Sequence, residues 1–173
     1  MVRRALILGT VLLTLCASAQ AAADACFAHA AARRHLNVNL LYAIARVESR
    51  FHPDVTNKKT GAIGEMQILP WHLKWLAKYQ ISGQDLYDEC TNINVGAFIL
   101  SDFVRMYGNT WRAVGAYGAG IAPDKEAARN EYAQLVESAY ERIVRNPSAR
   151  TETSGTAHST PRDVVRRPIM VAE

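Results

Sequence analysis

The stretch Asn92 to Gly108, "NINVGAFILSDFVRMYG", carries apolar side chains at Ile93, Ala97, Leu100 and Val104. That three-and-four spacing puts them on one stripe of an α-helix and leaves Asp102 and Arg105 off it. Such a helix must bury its stripe against other elements. The same period recurs in "LLYAIARVESRFHP" (Leu40 to Pro53), which Asn37 or Asn39 can cap and which runs to about Arg50. It returns between Pro123 and Val144, where Tyr132, Leu135, Val136, Ala139, Tyr140 and Ile143 form the expected packing face. Asp24 to His35 is Ala-rich and reads as helix, as do Trp71 to Tyr79 and "TWRAVGAYGAG", the latter stopped by Gly118 and Gly120. Only "PDVTNKKTGAIG" (Pro53 to Gly64) is dense in turn formers, followed by the short apolar "EMQIL" ending at Pro70. The expectation is a mostly α chain with one short irregular or β segment near residues 53–69.

Length and composition suit one domain. The chain has 173 residues, 49% hydrophobic and 21% charged, enough for a single real core. Most of the net charge of +4 comes from the ends. Setting aside Arg3 and Arg4, and the four Arg and three acids after Asn146, leaves 14 basic and 13 acidic side chains in residues 24–146. A nucleic-acid partner, which needs a clustered basic face, is therefore not expected. Residues 1–23 read as a Sec-type signal peptide. Arg3 and Arg4 make a charged start, Ala5 to Leu15 is apolar but too short to span a bilayer, and "ASAQAAA" offers cleavage after Ala21 or Ala23. Leu15 before Cys16 argues against lipoprotein processing. The mature chain is expected to be exported, with no transmembrane segment. It keeps two cysteines, Cys26 and Cys90, and an even number in an oxidising compartment favours a disulfide over two buried thiols. Residues 147–173 are Ser, Thr, Pro and Arg without apolar period and read as a disordered tail.

One residue breaks the pattern. Glu48 sits on the apolar stripe of its helix, between Ile44 and Phe51, where a carboxylate is costly unless paired or neutralised. Two readings stand side by side. In one, Glu48 is a helix-end charge paired with Arg46, Arg50 or His52. In the other, its apolar setting raises the pKa and leaves a proton available near neutrality, as glycosidic bond cleavage requires. Periodicity does not choose between them. Other chemistries lack their residues: His29, His35, His52 and His72 show no metal-ligand spacing and read as surface or capping residues. Ser49 has no evident His and Asp partners, and no Gly-rich phosphate loop follows a strand.

Four blocks decide it. "VESRF" is followed by "GAIGEMQILP", "CTNINVGAFIL" and "AVGAYGAG". In this order and spacing, from about Ala25 to Tyr140, they resemble the lytic transglycosylases with a lysozyme-like (α+β) fold. The small exported members that accompany secretion systems and pili are the nearest in character. The resemblance implies that Glu48 is the catalytic acid/base and that Ser49 supports it by hydrogen bonding near the scissile sugar. It implies that Met66, Gln67 and Ile68 line the glycan groove, and that the Tyr117 hydroxyl lies close to the catalytic carboxyl. Asn92 and Gly96 match a block that orders the start of a core helix. Two positions depart from the family: Gly118 stands where an Asn follows the tyrosine, removing an amide from the cleft and loosening the turn. Glu65 replaces an apolar residue, putting a second carboxylate near the groove or pointing it to solvent.

The implied reaction uses one carboxylate. Glu48 protonates the oxygen between N-acetylmuramic acid and N-acetylglucosamine, then acts as base on the muramic C6 hydroxyl, which closes a 1,6-anhydro product. No metal or organic cofactor is implied, and the partner is the peptidoglycan glycan strand, with secretion-system or pilus components as further candidates. The expected location is the periplasm. Rival readings are a hydrolytic muramidase using Glu65 or Asp54 as second carboxylate, and a non-catalytic peptidoglycan-binding assembly factor.

Overall fold

A computed structural model describes residues 21–150; the signal-peptide expectation up to residue 20 and the tail beyond 150 lie outside it. The helices, in chain order, are α1 (21–34), α2 (Val38–Glu48), α3 (Leu73–Leu76), α4 (Glu89–Tyr107), α5 (Trp111–Ala119) and α6 (Glu126–Arg145). Short 3-10 turns extend several of them. Two of these, Pro70–His72 and Ala77–Tyr79, flank α3, so the expected helix over 71–79 is three fragments in series.

Helix α2 lies at the centre. Its N-cap is Asn37, whose side chain accepts from the Asn39 backbone N–H at 2.9 Å. Leu40 to Ala45 are all buried, so the helix is covered on every side along its middle and not only on one stripe. It shares one core with residues of the other helices: Phe27 and Ala31 from α1, Ile93 and Leu100 from α4, Val114 from α5, Val136 and Ile143 from α6. Helix α6 packs on both α2 and α5. Leu135 does not join this face; it is 55% exposed. The stripe is narrower than the sequence suggests, because α6 meets its neighbours along the Ala133–Val136–Ala139–Ile143 line.

The segment between α2 and α3 has the expected β character in its smallest form, two isolated antiparallel bridges, Thr56 to Ile63 and Ile63 to Ile68. Gly64 turns this chain at φ 77°, and no side chain fits there, because a Cβ would lie 2.2 Å from the Asn92 amide. That amide is the knot tying the loop to α4. Asn92, wholly buried, accepts from Met66 N–H at 2.7 Å and donates to the Ile63 and Leu86 carbonyls at 2.9 and 2.8 Å. Helix α4 starts before Asn92, at Glu89, because the Asp88 carboxylate caps it by accepting from Thr91 N–H at 2.8 Å.

Cys26 and Cys90 form the disulfide, joining α1 to α4 across 64 residues with Cα atoms 5.2 Å apart. Order continues past the expected boundary at Asn146. A 3-10 turn spans Pro147–Arg150, Ala149 is fully buried, and the Arg150 guanidinium donates to Asn39 Oδ1 at 2.6 Å and lies over the Tyr42 ring. Among the described residues no helix is long and apolar enough to cross a membrane.

Two variants test this architecture. Asn92→Ala leaves the Met66 N–H and the Leu86 carbonyl without the Asn92 amide, while the Ile63 carbonyl keeps the Ile68 N–H; a loss of roughly 2–3 kcal/mol is expected in urea-induced unfolding. Replacing both Cys26 and Cys90 by Ala removes the closure of the long loop. A loss of about 2–4 kcal/mol is expected by the same measurement under oxidising conditions.

Candidate active site around Glu48

Glu48 is the last residue of α2, where the buried middle of the helix gives way to a strained exit: Arg50 and Phe51 both adopt positive φ, at 56° and 63°. Its partner comes from the far end of the chain. The Tyr132 hydroxyl, on α6, donates to Glu48 Oε1 at 2.5 Å. Burial pushes the Glu48 carboxyl up to about 7, and the Tyr132 hydrogen bond draws it partly back by favouring the charged form. The carboxyl is therefore poised near neutrality. Arg46, one of the partners that a structural reading of Glu48 required, instead donates to the Ala149 carbonyl at 3.3 Å. Ion pairs on α4, α5 and α6 join Arg105 to Asp102, Arg112 and Arg129 to Glu126, and Arg145 to Glu141.

Tyr117 stands on α5 beside the same carboxyl. Its hydroxyl donates to the Met66 carbonyl at 2.7 Å, which ties α5 to the loop. Both phenols are held well above their ordinary pKa, first by burial and then by the charge of Glu48. Near neutrality they are therefore neutral hydroxyl donors. The charge of Glu48 acts on Tyr117, while the direct hydrogen bond to the carboxyl belongs to Tyr132. The sequence reading placed Tyr132 only on a packing face. Its one available signal was chemical: a tyrosine on a buried stripe carries a hydroxyl that needs a partner.

The remaining candidates divide by exposure. Met66 and Ile68 are 0% and 1% exposed and sit in the core, so they support the loop from beneath and present no side chain to a groove. Gln67 between them is half-buried and holds φ 49°, with its amide donating to the Gly64 carbonyl at 2.9 Å. Ser49 caps the end of α2: its hydroxyl donates to the Ala45 carbonyl at 3.3 Å and accepts from His52 N–H at 3.1 Å. It orders the chain leaving Glu48. Gly118 lies inside α5 against the Tyr132 ring, so the loosened turn expected there occurs at Gly120, φ 77°. His72 is buried beneath Trp71, accepts from Trp75 Nε1 at 3.0 Å and has its pKa lowered to about 4 by burial, so it is a neutral core histidine and not a surface one.

Glu65 does not point to solvent. It is 1% exposed, with Oε2 lacking a hydrogen-bond partner, and its carboxyl faces Glu89 at the start of α4. Burial and then the Glu89 charge and hydrogen bond push it up to about 8. It contributes nothing to the shift of Glu48, whose causes are burial and Tyr132. Among the described residues no group of three or more His, Cys, Asp or Glu is arranged to hold a metal ion.

A carboxyl at the end of a buried helix, raised to about 7 and joined by a phenol donor, is an arrangement that can give up and take back a proton near neutrality. Comparison with known proteins gives the class. The family model of the transglycosylase SLT domain matches residues 25–139. The invasion protein IagB of Salmonella typhimurium is 38% identical over 122 residues, covering 68% of this chain and 76% of that one. Protein IpgF of Shigella flexneri is 37% identical, covering 68% and 80%. The solved structure of an inactive mutant of the lytic transglycosylase Slt from Pseudomonas aeruginosa superposes with a TM-score of 0.59 at 27% identity. It covers 75% of this chain, which spans only 25% of the Slt chain. The chain belongs to the transglycosylase SLT domain family and is a lytic transglycosylase by class.

The Glu65 burial has a measurable consequence. The folded state binds this proton more tightly than the unfolded chain, since the group moves from 4.5 to about 8. Its contribution to stability is therefore full below pH 4.5 and is lost as pH rises toward 8. Glu65→Gln is expected to raise the thermal midpoint relative to wild type at pH 8.5, by the equivalent of roughly 1–3 kcal/mol, and to give no gain at pH 4.

Proposed function

We propose that this protein cleaves the β-1,4 bond between N-acetylmuramic acid and N-acetylglucosamine in peptidoglycan and releases a 1,6-anhydro-muramic end. The observation that carries the reading is the Glu48 carboxyl, raised by burial to about 7 and joined by the Tyr132 hydroxyl at 2.5 Å. A group with this pKa is protonated in half the molecules near neutrality and gives its proton readily, the balance a general acid needs.

In the first half-reaction Glu48 donates its proton to the glycosidic oxygen as the bond to the muramic anomeric carbon breaks. Negative charge then grows on Glu48, and the Tyr132 O–H, already aimed at Oε1, stabilises it as it forms. In the second half-reaction the carboxylate accepts the proton of the muramic C6 hydroxyl, whose oxygen closes on the anomeric carbon. The nucleophile belongs to the same sugar, so no second carboxylate is required. The places a hydrolase would look for one support this reading. Glu65 faces Glu89, and Asp54 is exposed. Ser49 and the Tyr117–Met66 link hold the chain on either side of Glu48 and act as its positioning residues.

The cellular setting is inferred from the relatives. Names such as invasion protein IagB and, in Escherichia coli, peptidoglycan-binding-like protein fit an exported enzyme that opens the wall locally for a secretion apparatus or pilus. A signal peptide in residues 1–23 and a periplasmic location belong to the same proposal.

Digestion of purified sacculi by the mature protein, with the soluble fragments read by mass spectrometry, tests it. Anhydro-muropeptides are expected, falling by at least about 100-fold with Glu48→Gln. Reducing muramic ends without anhydro products would place the reaction with hydrolases, and sacculus binding without release would leave a binding factor.

A further inference from the structure

Gly118 is the departure from the family pattern that the reaction scheme does not use, and its surroundings give it a role. It sits on α5 facing α6. A Cβ built there would lie 2.3 Å from Tyr132 Cδ2 and 2.4 Å from Cε2 and Cγ. Three atoms at the root and flank of one ring leave no small adjustment that would make room. One turn earlier, a Cβ on Gly115 would lie 2.5 Å from the Arg129 carbonyl oxygen. The two glycines therefore bring α5 and α6 together more closely than any side chain would permit. Arg129 fixes that approach: fully buried, it donates to the Gly120 and Ala122 carbonyls at 2.8 and 2.9 Å and pairs with Glu126 at 2.6 Å. Arg129 and Tyr132 are three residues apart on α6 and so share a face. Locking the first sets the height of the second.

We infer that Gly118 is a positioning residue for the reaction: its bare Cα is the seat on which the Tyr132 ring rests, and that seat sets the hydrogen bond from Tyr132 to Glu48. The inference rests on the proposed role of Glu48 as general acid and adds to it the residue that aims the acid's partner. The titratable groups facing Glu48 are Tyr132 from α6 and Tyr117 from α5, while Glu65 of the adjoining loop faces Glu89. Tyr117 is anchored independently through the Met66 carbonyl. A side chain at 118 thus displaces one of the two phenols and leaves the other in place. The asparagine that the family carries at this position would meet the Tyr132 ring in the same way.

The test compares four mature proteins: wild type, Tyr132→Phe, Gly118→Ala and the double variant. Two quantities are read for each, the alkaline limb of the pH profile for muropeptide release and the thermal midpoint. Losing the donor to the Glu48 carboxylate raises the limb, so Tyr132→Phe is expected to move it up by about one pH unit. Gly118→Ala is expected to move it in the same direction, and the double variant no further. The thermal midpoint falls with Gly118→Ala in both backgrounds, because the Phe ring keeps the clash.

A Gly118→Ala protein that loses stability with its limb unmoved, while Tyr132→Phe shifts, overturns the inference and leaves the general-acid reading intact. Shifts that add in the double variant overturn it also. An unmoved limb in Tyr132→Phe overturns the inference, while the general-acid reading stands or falls separately on the loss of anhydro-muropeptide release in Glu48→Gln. If Gly118→Ala does not fold, combining it with Tyr132→Ala, which empties the seat, is expected to restore folding; failure to restore it overturns the inference.

Discussion

The hydrogen bond from Tyr132 to Glu48 spans 84 residues of sequence and holds the exit of the central helix to α6. It is made possible by a costly choice, a carboxyl at the end of a helix whose middle is buried on every side. Such a group is stable there neutral, or charged with a donor, and the structure provides for both states. Burial favours the proton; the phenol favours its departure. The two effects oppose each other within one site, and the carboxyl comes to rest where a small change in surroundings tips it either way.

The other elements hold this balance in place. Asn92 fixes the height of the Met66 loop from below, and the Met66 carbonyl in turn holds Tyr117. Gly115 and Gly118 let α5 and α6 approach, and Arg129 ties the turn between them. The disulfide pins α1 to the start of α4 close to Glu89, the neighbour of the buried Glu65. Two acids, Glu48 and Glu65, are therefore both held above the usual carboxylate range, each first by burial; a phenol donor draws Glu48 partly back, while a second carboxylate pushes Glu65 further up.

Local pattern carried much of this. The stripe Ile93–Ala97–Leu100 marks α4, Asn37 marks the start of α2, and the misfit of Glu48 is visible to anyone who counts in threes and fours. Legibility ends where contacts are long-range. Tyr132 and Leu135 lie on one apolar-looking face, yet one reaches Glu48 and the other is exposed. What separates them is the line along which α6 meets α2 and α5, and no local spacing encodes it. The sequence leaves Glu65 either near the groove or in solvent; here two bridges and the Asn92 knot fold the turn inward and bury it. Gly118 read as a missing amide, whereas its meaning lies in the ring that occupies the space. His72 was misread for the same reason, since Trp71 and Trp75 cover it only once Pro70 has turned the chain.

The central claim is that the Glu48 carboxyl holds its proton near neutrality because the fold buries it. Titration of that carboxyl by carbon-13 NMR in the mature protein, assigned with Glu48→Gln, measures this directly. The account predicts a midpoint of about 7. A midpoint near the model-peptide value of about 4.3 would contradict it.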